Sequence, residues 1–176
     1  MSGASAKGDK GQTLTISKAA LSDGDTVTVS GTGYDTAKGV YVALCRDLGP
    51  GRNPTPCGGG ADTAGQSGGS QWISSNPPPY GRDLAVKYGD GGTFTVKLSV
   101  KAKISDTVDC AKVKCAIVTR ADHTRSADRS QDVRVPVEFG GGSSKTALIA
   151  GGAAVTLVLL VALAFVLVRR RGAASE

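Results

Sequence analysis

The sequence predicts an all-β sandwich followed by one transmembrane helix, and three observations lead to this prediction. Short stretches in which apolar and polar residues alternate recur along the first 140 residues, which is the pattern of half-buried β-strands. Clusters of glycine, aspartate and asparagine separate these stretches, as turns do. Beyond a glycine- and serine-rich linker, the chain continues with 22 residues that carry no charge.

Seven stretches carry the strand pattern. In Thr93–Lys101 the apolar residues from Phe94 onward alternate with polar ones, so one face is expected to be buried. Asp132–Phe139 alternates in the same way but contains Pro136, which cannot donate to a strand ladder and predicts a sheet edge or a break. The other five strands are predicted at LTIS, TVTVSG, VYVALC, SQWIS and CAIVT. Seven short antiparallel strands joined by turns are typical of an immunoglobulin-like sandwich.

The predicted organisation has five segments. They are a flexible N-terminal segment 1–12, the sandwich domain 13–139, a Gly/Ser linker 140–146, a transmembrane helix 147–168 and a cytoplasmic basic tail 169–176. A helix of 22 uncharged residues is long enough to cross a hydrocarbon core of roughly 30 Å. Arg169–Arg171 follow the span directly, and arginines beside a span stay in the cytoplasm. We therefore expect a single-pass plasma-membrane protein whose N-terminal domain is extracellular.

The net charge of +6 has two sources. Up to Gly140 the chain has 17 Lys and Arg against 14 Asp and Glu, a net charge of +3, and the other +3 comes from Lys145 and Arg169–Arg171 less Glu176. Because the sandwich has no dense cluster of basic residues, direct nucleic-acid binding is not expected.

An extracellular domain requires export, yet the stretch MSGASAKGDKG at the start of the sequence contains no apolar segment of the signal-peptide kind. Ala4, Ser5 and Ala6 match the small-residue pattern that precedes signal-peptidase cleavage. One interpretation is that a hydrophobic signal lies upstream of Met1. The other is that these small residues cluster by chance.

The four cysteines, Cys45, Cys57, Cys110 and Cys115, form two close pairs. Their C-x11-C and C-x4-C spacings, with a single histidine in the chain, do not match a zinc site, and the C-x-x-C of a redox site is absent. We expect no metal. Of the three connectivities that four cysteines allow, the two local disulfides Cys45–Cys57 and Cys110–Cys115 are the most economical in an exported domain.

The connection from Arg46 to Gly92 is rich in glycine, proline and serine, and it holds Trp72, Tyr80 and Tyr88. A connection this long in a small domain is usually functional or disordered. Its NPPPYG stretch could present Tyr80 as a stiff binding tip, or it could cross the sandwich and tuck Tyr80 against it. Either Tyr80 or Tyr88 could ligate ferric haem, as tyrosine does in some haem proteins.

A second candidate is Arg120–Ser130, in which arginine alternates with aspartate around His123. In one interpretation His123 assists three arginines in holding an anion or a haem propionate; they are Arg120, Arg125 and Arg129. In the other, this segment is a solvated hairpin whose charges pair among themselves.

Several motifs resemble those of the neocarzinostatin-like apoproteins of actinobacteria. Between Leu14 and Phe139 they are LSDGDTVTVSGTGYD, VYVALC with a second cysteine in the next loop, DGGTFTVKLSV, VDCAKVKCAIVTR and VRVPVEF. The resemblance implies a seven-stranded immunoglobulin-like sandwich with two local disulfides. It also implies a cleft of the kind that carries an apolar enediyne chromophore, through which several members bind DNA.

The chain departs from that family in its predicted membrane span and its long Arg46–Gly92 connection. WISSNPPPYG and TRADHTRSADRSQDV do not look like chromophore-lining segments. They resemble, more faintly, segments of actinobacterial surface proteins that accompany haem-transport-associated domains.

The motifs of common enzyme classes, such as G-x-S-x-G and H-E-x-x-H, are absent, so we expect a non-enzymatic protein. The expected function is that of a membrane-anchored cell-surface binding module, with haem, another small molecule or a surface protein as its partner. The alternative is a neocarzinostatin-type carrier of a small apolar chromophore with an antibacterial, DNA-damaging role.

Overall fold

The computed structural model of the protein describes residues 2–59 and 68–140. These residues form two short 3-10 helices, Pro79–Gly81 and His123–Arg125, and ten strands: β1 (Ala4–Lys7), β2 (Thr13–Ile16), β3 (Ala20–Leu21), β4 (Thr26–Thr32), β5 (Val40–Arg46), β6 (Ser70–Ile73), β7 (Ala85–Val86), β8 (Phe94–Ser99), β9 (Cys115–Ala121) and β10 (Val133–Phe139).

The chain divides into two compact units, Met1–Gly141 and Gly142–Glu176. The predicted transmembrane helix and basic tail belong to the second unit, which lies outside the described residues. Among the residues that are described, no helix is long and apolar enough to cross a membrane.

The strands form two sheets. The smaller has the order β1-β2-β4-β8 and is antiparallel throughout. The larger has the order β3-β10-β9-β5-β6-β7, and its outer pairs β3–β10 and β6–β7 run parallel. The predicted sandwich is confirmed, and all seven predicted strands are present. The prediction of seven purely antiparallel strands needs correction, because β1, β3 and β7 add to them and two strand pairs are parallel.

The N-terminal segment also differs from the prediction of a flexible stretch. Ala4–Lys7 pairs with Thr13–Ile16 in antiparallel register, and Ala4 and Ala6 pack against the core. Two small alanines give too weak an apolar pattern to indicate a strand in the sequence. β3 and β7 were missed for a related reason, since two residues are too few to show alternation.

The core lies between the two sheets. Alternate residues of the long strands, such as Leu14, Val29 and Leu98 in one sheet and Val42 and Ile117 in the other, are completely or almost completely buried. Each such side chain contributes about 1.5–3 kcal/mol by leaving water. This burial fixes the register of every long strand, because a slip of one residue would expose its apolar face.

Pro136, which has no amide hydrogen, occupies a position where the strand does not need a second hydrogen-bond donor. β10 pairs with β9 along Val133–Val137, and its pairing with β3 covers only Glu138 and Phe139. At Pro136 the strand therefore has a ladder with β9 alone among the described strands, so this position is locally an edge. β10 as a whole is not an edge strand, because it lies between β3 and β9.

Both predicted disulfides are present, Cys45–Cys57 and Cys110–Cys115. The first closes a loop across the end of β5, where Cys45 and Cys57 also form a β-bridge. On the loop-closure model, a crosslink of this length stabilises the folded state by roughly 3 kcal/mol.

The outward-facing side of β5 and β9 is covered as well. Ala43, Cys45, Ala116 and Val118 form a second buried cluster, separate from the main core, and Cys57 packs against it. Strands buried on both faces read as continuous apolar runs, which is the pattern of VYVALC and CAIVT. The segment that follows Cys45 folds over this face and forms one wall of a cleft.

Candidate ligand-binding cleft

A cleft of about 500 Å3 lies over the outward face of β5 and β9, and we call it the outer cleft. Its lining consists of Tyr41, Ala43, Asn53, Thr55, Pro56, Cys57, Ser70, Arg120, Ala121, Asp122, His123 and Ser126. Small-molecule sites typically have volumes of about 300–1,000 Å3 and combine apolar walls with a few polar groups. The outer cleft has both properties.

Strand register builds the floor of the outer cleft. Tyr41 and Ala43 are two residues apart on β5, so both point away from the core. Tyr41 lies opposite Arg120 on β9 and opposite Trp72 on β6, and Ala43 lies opposite Ser70. The small side chains of Ala43 and Ser70 leave room above the sheet, whereas Tyr41 and Arg120 are long enough to bound that room.

The segment Arg52–Cys57 forms the facing wall, and the Cys45–Cys57 disulfide ties it to β5. Three arginines donate hydrogen bonds to this segment: Arg120 Nη1 to the Pro54 carbonyl (3.1 Å), Arg129 Nη1 to Asn53 Oδ1 (2.8 Å) and Arg134 Nη2 to the Arg52 carbonyl. The wall is therefore anchored by one covalent bond and by several charged donors.

The three arginines differ in their counterions. Asp132, whose side chain is 5% exposed, lies 3.2 Å from Arg129 and 3.5 Å from Arg134. Burial raises the pKa of Asp132, although both arginines act in the opposite direction. Arg120 forms no ion pair with any carboxylate of the described residues.

Arg120 is half-buried. Burial is the main cause that lowers the pKa of its guanidinium, yet arginine remains protonated at any physiological pH. A cation that is partly removed from water without a paired anion carries a desolvation cost. An anionic group of a ligand would offset that cost, so the electrostatics of the outer cleft favour an anion at Arg120.

His123 lies at the rim between two tyrosines. Its Nδ1 is 2.6 Å from the hydroxyl of Tyr41, and its Nε2 is 2.7 Å from the hydroxyl of Tyr80. The two hydroxyls therefore bond to both nitrogens of the same imidazole ring, and each hydroxyl can act as donor or as acceptor. Burial raises the pKa of Tyr41, which keeps its hydroxyl protonated. The arrangement links β5, the first 3-10 helix and the second 3-10 helix.

Trp72 supports this rim from below. Its ring lies edge-on to His123, with 5.2 Å between centroids, and its Nε1–H donates to Asp122 Oδ2 at 3.0 Å. Asp122 Oδ1 accepts from the backbone and the hydroxyl of Thr124 and so caps the second 3-10 helix. A Cβ at Gly81 would lie 2.3 Å from the Trp72 ring, so glycine is required where the first 3-10 helix passes the indole.

Four of the predicted ligand-binding residues are brought to the cleft or its rim. Arg120 and His123 line the outer cleft, while Trp72 and Tyr80 contact His123. Tyr80 is 67% exposed, so NPPPYG both presents this ring to solvent and fixes its hydroxyl on His123.

Tyr88 and Arg125, which were also predicted to bind a ligand, do not line the outer cleft. Tyr88 is 6% exposed, packs against Tyr34 and Phe94 and donates to the Lys38 carbonyl at 3.1 Å. Burial raises the pKa of Tyr88, so it is a core residue rather than an accessible phenolate. Arg125 donates to the Ala37 carbonyl at 2.8 Å and does not line the outer cleft.

Sequence reasoning missed most of the lining, including Tyr41, Ala43, Ser70 and the Thr55–Pro56 wall. One signal was present: Tyr41 is the sole hydroxyl-bearing residue in the apolar run VYVALC. Residues 2–59 and 68–140 contain no group of three or more His, Cys, Asp or Glu placed to hold a metal ion.

The fold and the outer cleft together define an immunoglobulin-like β-sandwich with a cleft of small-molecule size. The model of the neocarzinostatin family matches residues 14–139, and the chain belongs to that family. Its members are ligand-binding carrier proteins rather than enzymes.

Two similar proteins illustrate the relationship. "Thiamine biosynthesis protein X" of Corynebacterium glutamicum is 34% identical over 129 residues, which are 72% of this chain and 62% of that protein. The chain thus spans less than two thirds of that relative's length. Among solved structures, macromomycin matches with a TM-score of 0.48 and 22% identity, covering 73% of this chain and 99% of macromomycin.

Proposed function

We propose that this protein is a membrane-anchored carrier that binds a small aromatic molecule bearing an anionic group in the outer cleft. The observation that carries the proposal is the half-buried, unpaired Arg120 in a cleft of about 500 Å3. Membership of a family of ligand-binding carriers supports the same conclusion.

Each part of the cleft has a role in this proposal. The ring of Tyr41 and the apolar surfaces of Ala43, Pro56 and the Cys45–Cys57 disulfide receive the aromatic part of the ligand. Arg120 receives the anionic group, since one of its N–H donors is used on Pro54 and a guanidinium has five. Asn53, Thr55 and Ser70 supply neutral polar contacts around the ligand.

The membrane anchor and the orientation rest on the sequence. Ala147–Val168 is uncharged and Arg169–Arg171 follow it, so the sandwich is proposed to lie outside the plasma membrane and the C-terminus inside. Protease treatment of intact cells should release the sandwich domain. Protection in intact cells, with cleavage only after lysis, would contradict this orientation.

A matched pair of ligands tests the outer cleft. 2-Naphthoate and 2-naphthalenemethanol share one ring system and differ in charge. We expect saturable quenching or enhancement of ligand fluorescence for both, with 2-naphthoate bound more tightly. Arg120→Gln should weaken 2-naphthoate binding roughly tenfold, because it removes a charged hydrogen-bond donor, and should weaken binding of the alcohol much less, since the alcohol loses only the support that Arg120 gives to the wall through Pro54.

Lys97→Gln is the control for net charge, since Lys97 is exposed on the smaller sheet. It should leave both affinities unchanged. If neither ligand binds saturably, the cleft is not a site for small aromatic molecules. If both ligands bind with equal affinity and Arg120→Gln changes neither affinity, the proposed preference for an anion is contradicted. The protein could then still be a carrier of a neutral aromatic molecule, such as a chromophore. A chromophore retained by protein purified from its native source would favour that alternative.

A specific observation supports haem as a second candidate ligand. The phenol of Tyr80 is 67% exposed and its hydroxyl contacts His123 Nε2 at 2.7 Å. A phenol is a known axial ligand of ferric haem, and a neighbouring imidazole can accept the proton that the phenol loses. Ferric haem should then give a saturable Soret change that Tyr80→Phe abolishes. Tyr88→Phe, in the core, is the matched control and should have no effect; equal responses of both variants would contradict haem ligation by Tyr80.

A further inference from the structure

A second cavity, of about 430 Å3, lies where the chain crosses from β6 to β7, and we call it the crossover pocket. It is lined by Ser74, Ser75, Asn76, Pro77, Arg82, Ala85 and Lys87, none of which lines the outer cleft. The parallel pairing of β6 with β7 and the hydrogen bond from the Ser74 amide to the Val86 carbonyl, at 2.9 Å, hold its two sides together.

The crossover pocket includes an available hydroxyl. Ser74 is only 6% exposed as a residue, and its hydroxyl makes no hydrogen bond to any of the described residues. That hydroxyl is not enclosed, because the fully buried side-chain atoms without a hydrogen-bond partner in the described residues are Asp132 Oδ1 and Arg134 Nε. Since Ser74 lines the pocket, its hydroxyl is free to bond to water or to a molecule in the pocket.

The other polar groups of the crossover pocket are also donors. Arg82 and Lys87 are exposed and form no ion pair within the described part of the chain, and the side chains of Ser75 and Asn76 make no hydrogen bond there. The nearest acidic residue in sequence, Asp83, is exposed and is paired with neither cation. The pocket thus combines two cations, two hydroxyls and one amide without a carboxylate in its lining.

We propose that the crossover pocket binds a phosphate group. Phosphate oxygens accept several hydrogen bonds at once, and the guanidinium of Arg82 and the ammonium of Lys87 in the lining supply charge-assisted donors to them. The Ser74 hydroxyl, which also lines the pocket, supplies a further neutral donor to the phosphate. The chemistry is shared by soluble phosphate esters and by the headgroups of anionic phospholipids. This site is independent of the outer cleft, so either proposal can fail without the other.

The test uses the full chain, labelled with 15N, in detergent micelles. Inorganic phosphate should cause saturable amide shifts confined to residues 74–76 and 82–87, while chloride at equal ionic strength should not. Arg82→Gln and Lys87→Gln should each weaken phosphate binding about tenfold. Ser74→Ala, which leaves the charge unchanged, should weaken it several-fold, and Lys97→Gln should have no effect.

Shifts that never saturate, or saturable binding that is indifferent to all three pocket variants, would overturn the proposal. A second arm identifies the source of the phosphate group. Binding of the chain to phosphatidylglycerol vesicles but not to phosphatidylcholine vesicles, lost on Arg82→Gln, would assign a lipid headgroup. Tight binding of phenyl phosphate without vesicle binding would assign a soluble ester.

Discussion

Replacing Trp72 with Phe removes a single donor from a buried carboxylate. Trp72 Nε1–H lies 3.0 Å from Asp122 Oδ2, and Asp122 is 2% exposed, so water cannot replace the lost donor. A hydrogen bond to a charged group contributes about 1.5–3 kcal/mol. The smaller ring also leaves a cavity, which adds about 1 kcal/mol. We therefore expect Trp72→Phe to lower the free energy of unfolding by about 3 kcal/mol.

Urea unfolding of the 1–141 unit measures this change, with the m-value as a check that the unfolded state is unaltered. Tyr80→Phe is the matched control. It removes a hydroxyl from an exposed ring and should change the free energy of unfolding by no more than about 0.5 kcal/mol. A loss below about 1 kcal/mol for Trp72→Phe would refute the assignment of the indole as the main partner of Asp122 Oδ2.

Three further predictions concern the framework that holds the cleft. Thr119→Val should destabilise the domain by about 3 kcal/mol in urea unfolding, because the Thr119 hydroxyl bonds the Tyr34 hydroxyl and two backbone groups in the core; a loss under about 1 kcal/mol would contradict this. Hydrogen bonds from Ser130 and Lys38 lower the pKa of Asp128, so its ionised form contributes stability above about pH 4 that is lost as pH falls further. Lys38→Met should accordingly cost about 1 kcal/mol at pH 7 and progressively less as pH falls below about 4, whereas a cost that is independent of pH would be inconsistent with that ion pair. Residues 1–141 expressed alone should be soluble with a β-rich circular dichroism spectrum, and an unfolded spectrum would mean that the first unit depends on the second.

The sequence predicted the parts of the fold that depend on local pattern. Alternation located all seven long strands, because one face of each strand is buried against the other sheet. The cysteine spacing predicted both disulfides, because each pair closes a loop within its own segment. The resemblance to the neocarzinostatin family is confirmed over residues 14–139.

The cleft was only partly predictable because it depends on contacts between distant segments. Ala43 and Ser70 matter for the space they leave, and a small side chain gives no pattern in a sequence. Tyr88 lies in the same polar connection as Tyr80, but it follows β7 and its ring packs on Tyr34. The sequence alone does not indicate that contact, because the two residues are far apart in the chain. His123 and Tyr80 were each predicted as candidate ligand-binding residues. Their hydrogen bond was not predictable, because the two residues are 43 positions apart in the sequence and only the fold places them together.

Mapping of the 2-naphthoate site by amide chemical shifts tests the central claim most directly. The shifts should saturate and should be largest at Tyr41, Ala43, Ser70, Arg120 and the Thr55–Cys57 wall, with little change on the smaller sheet. Arg120→Gln should reduce the affinity while leaving the pattern of shifted residues the same. Saturable shifts centred on another face of the sandwich, or none at the outer cleft, would contradict the account.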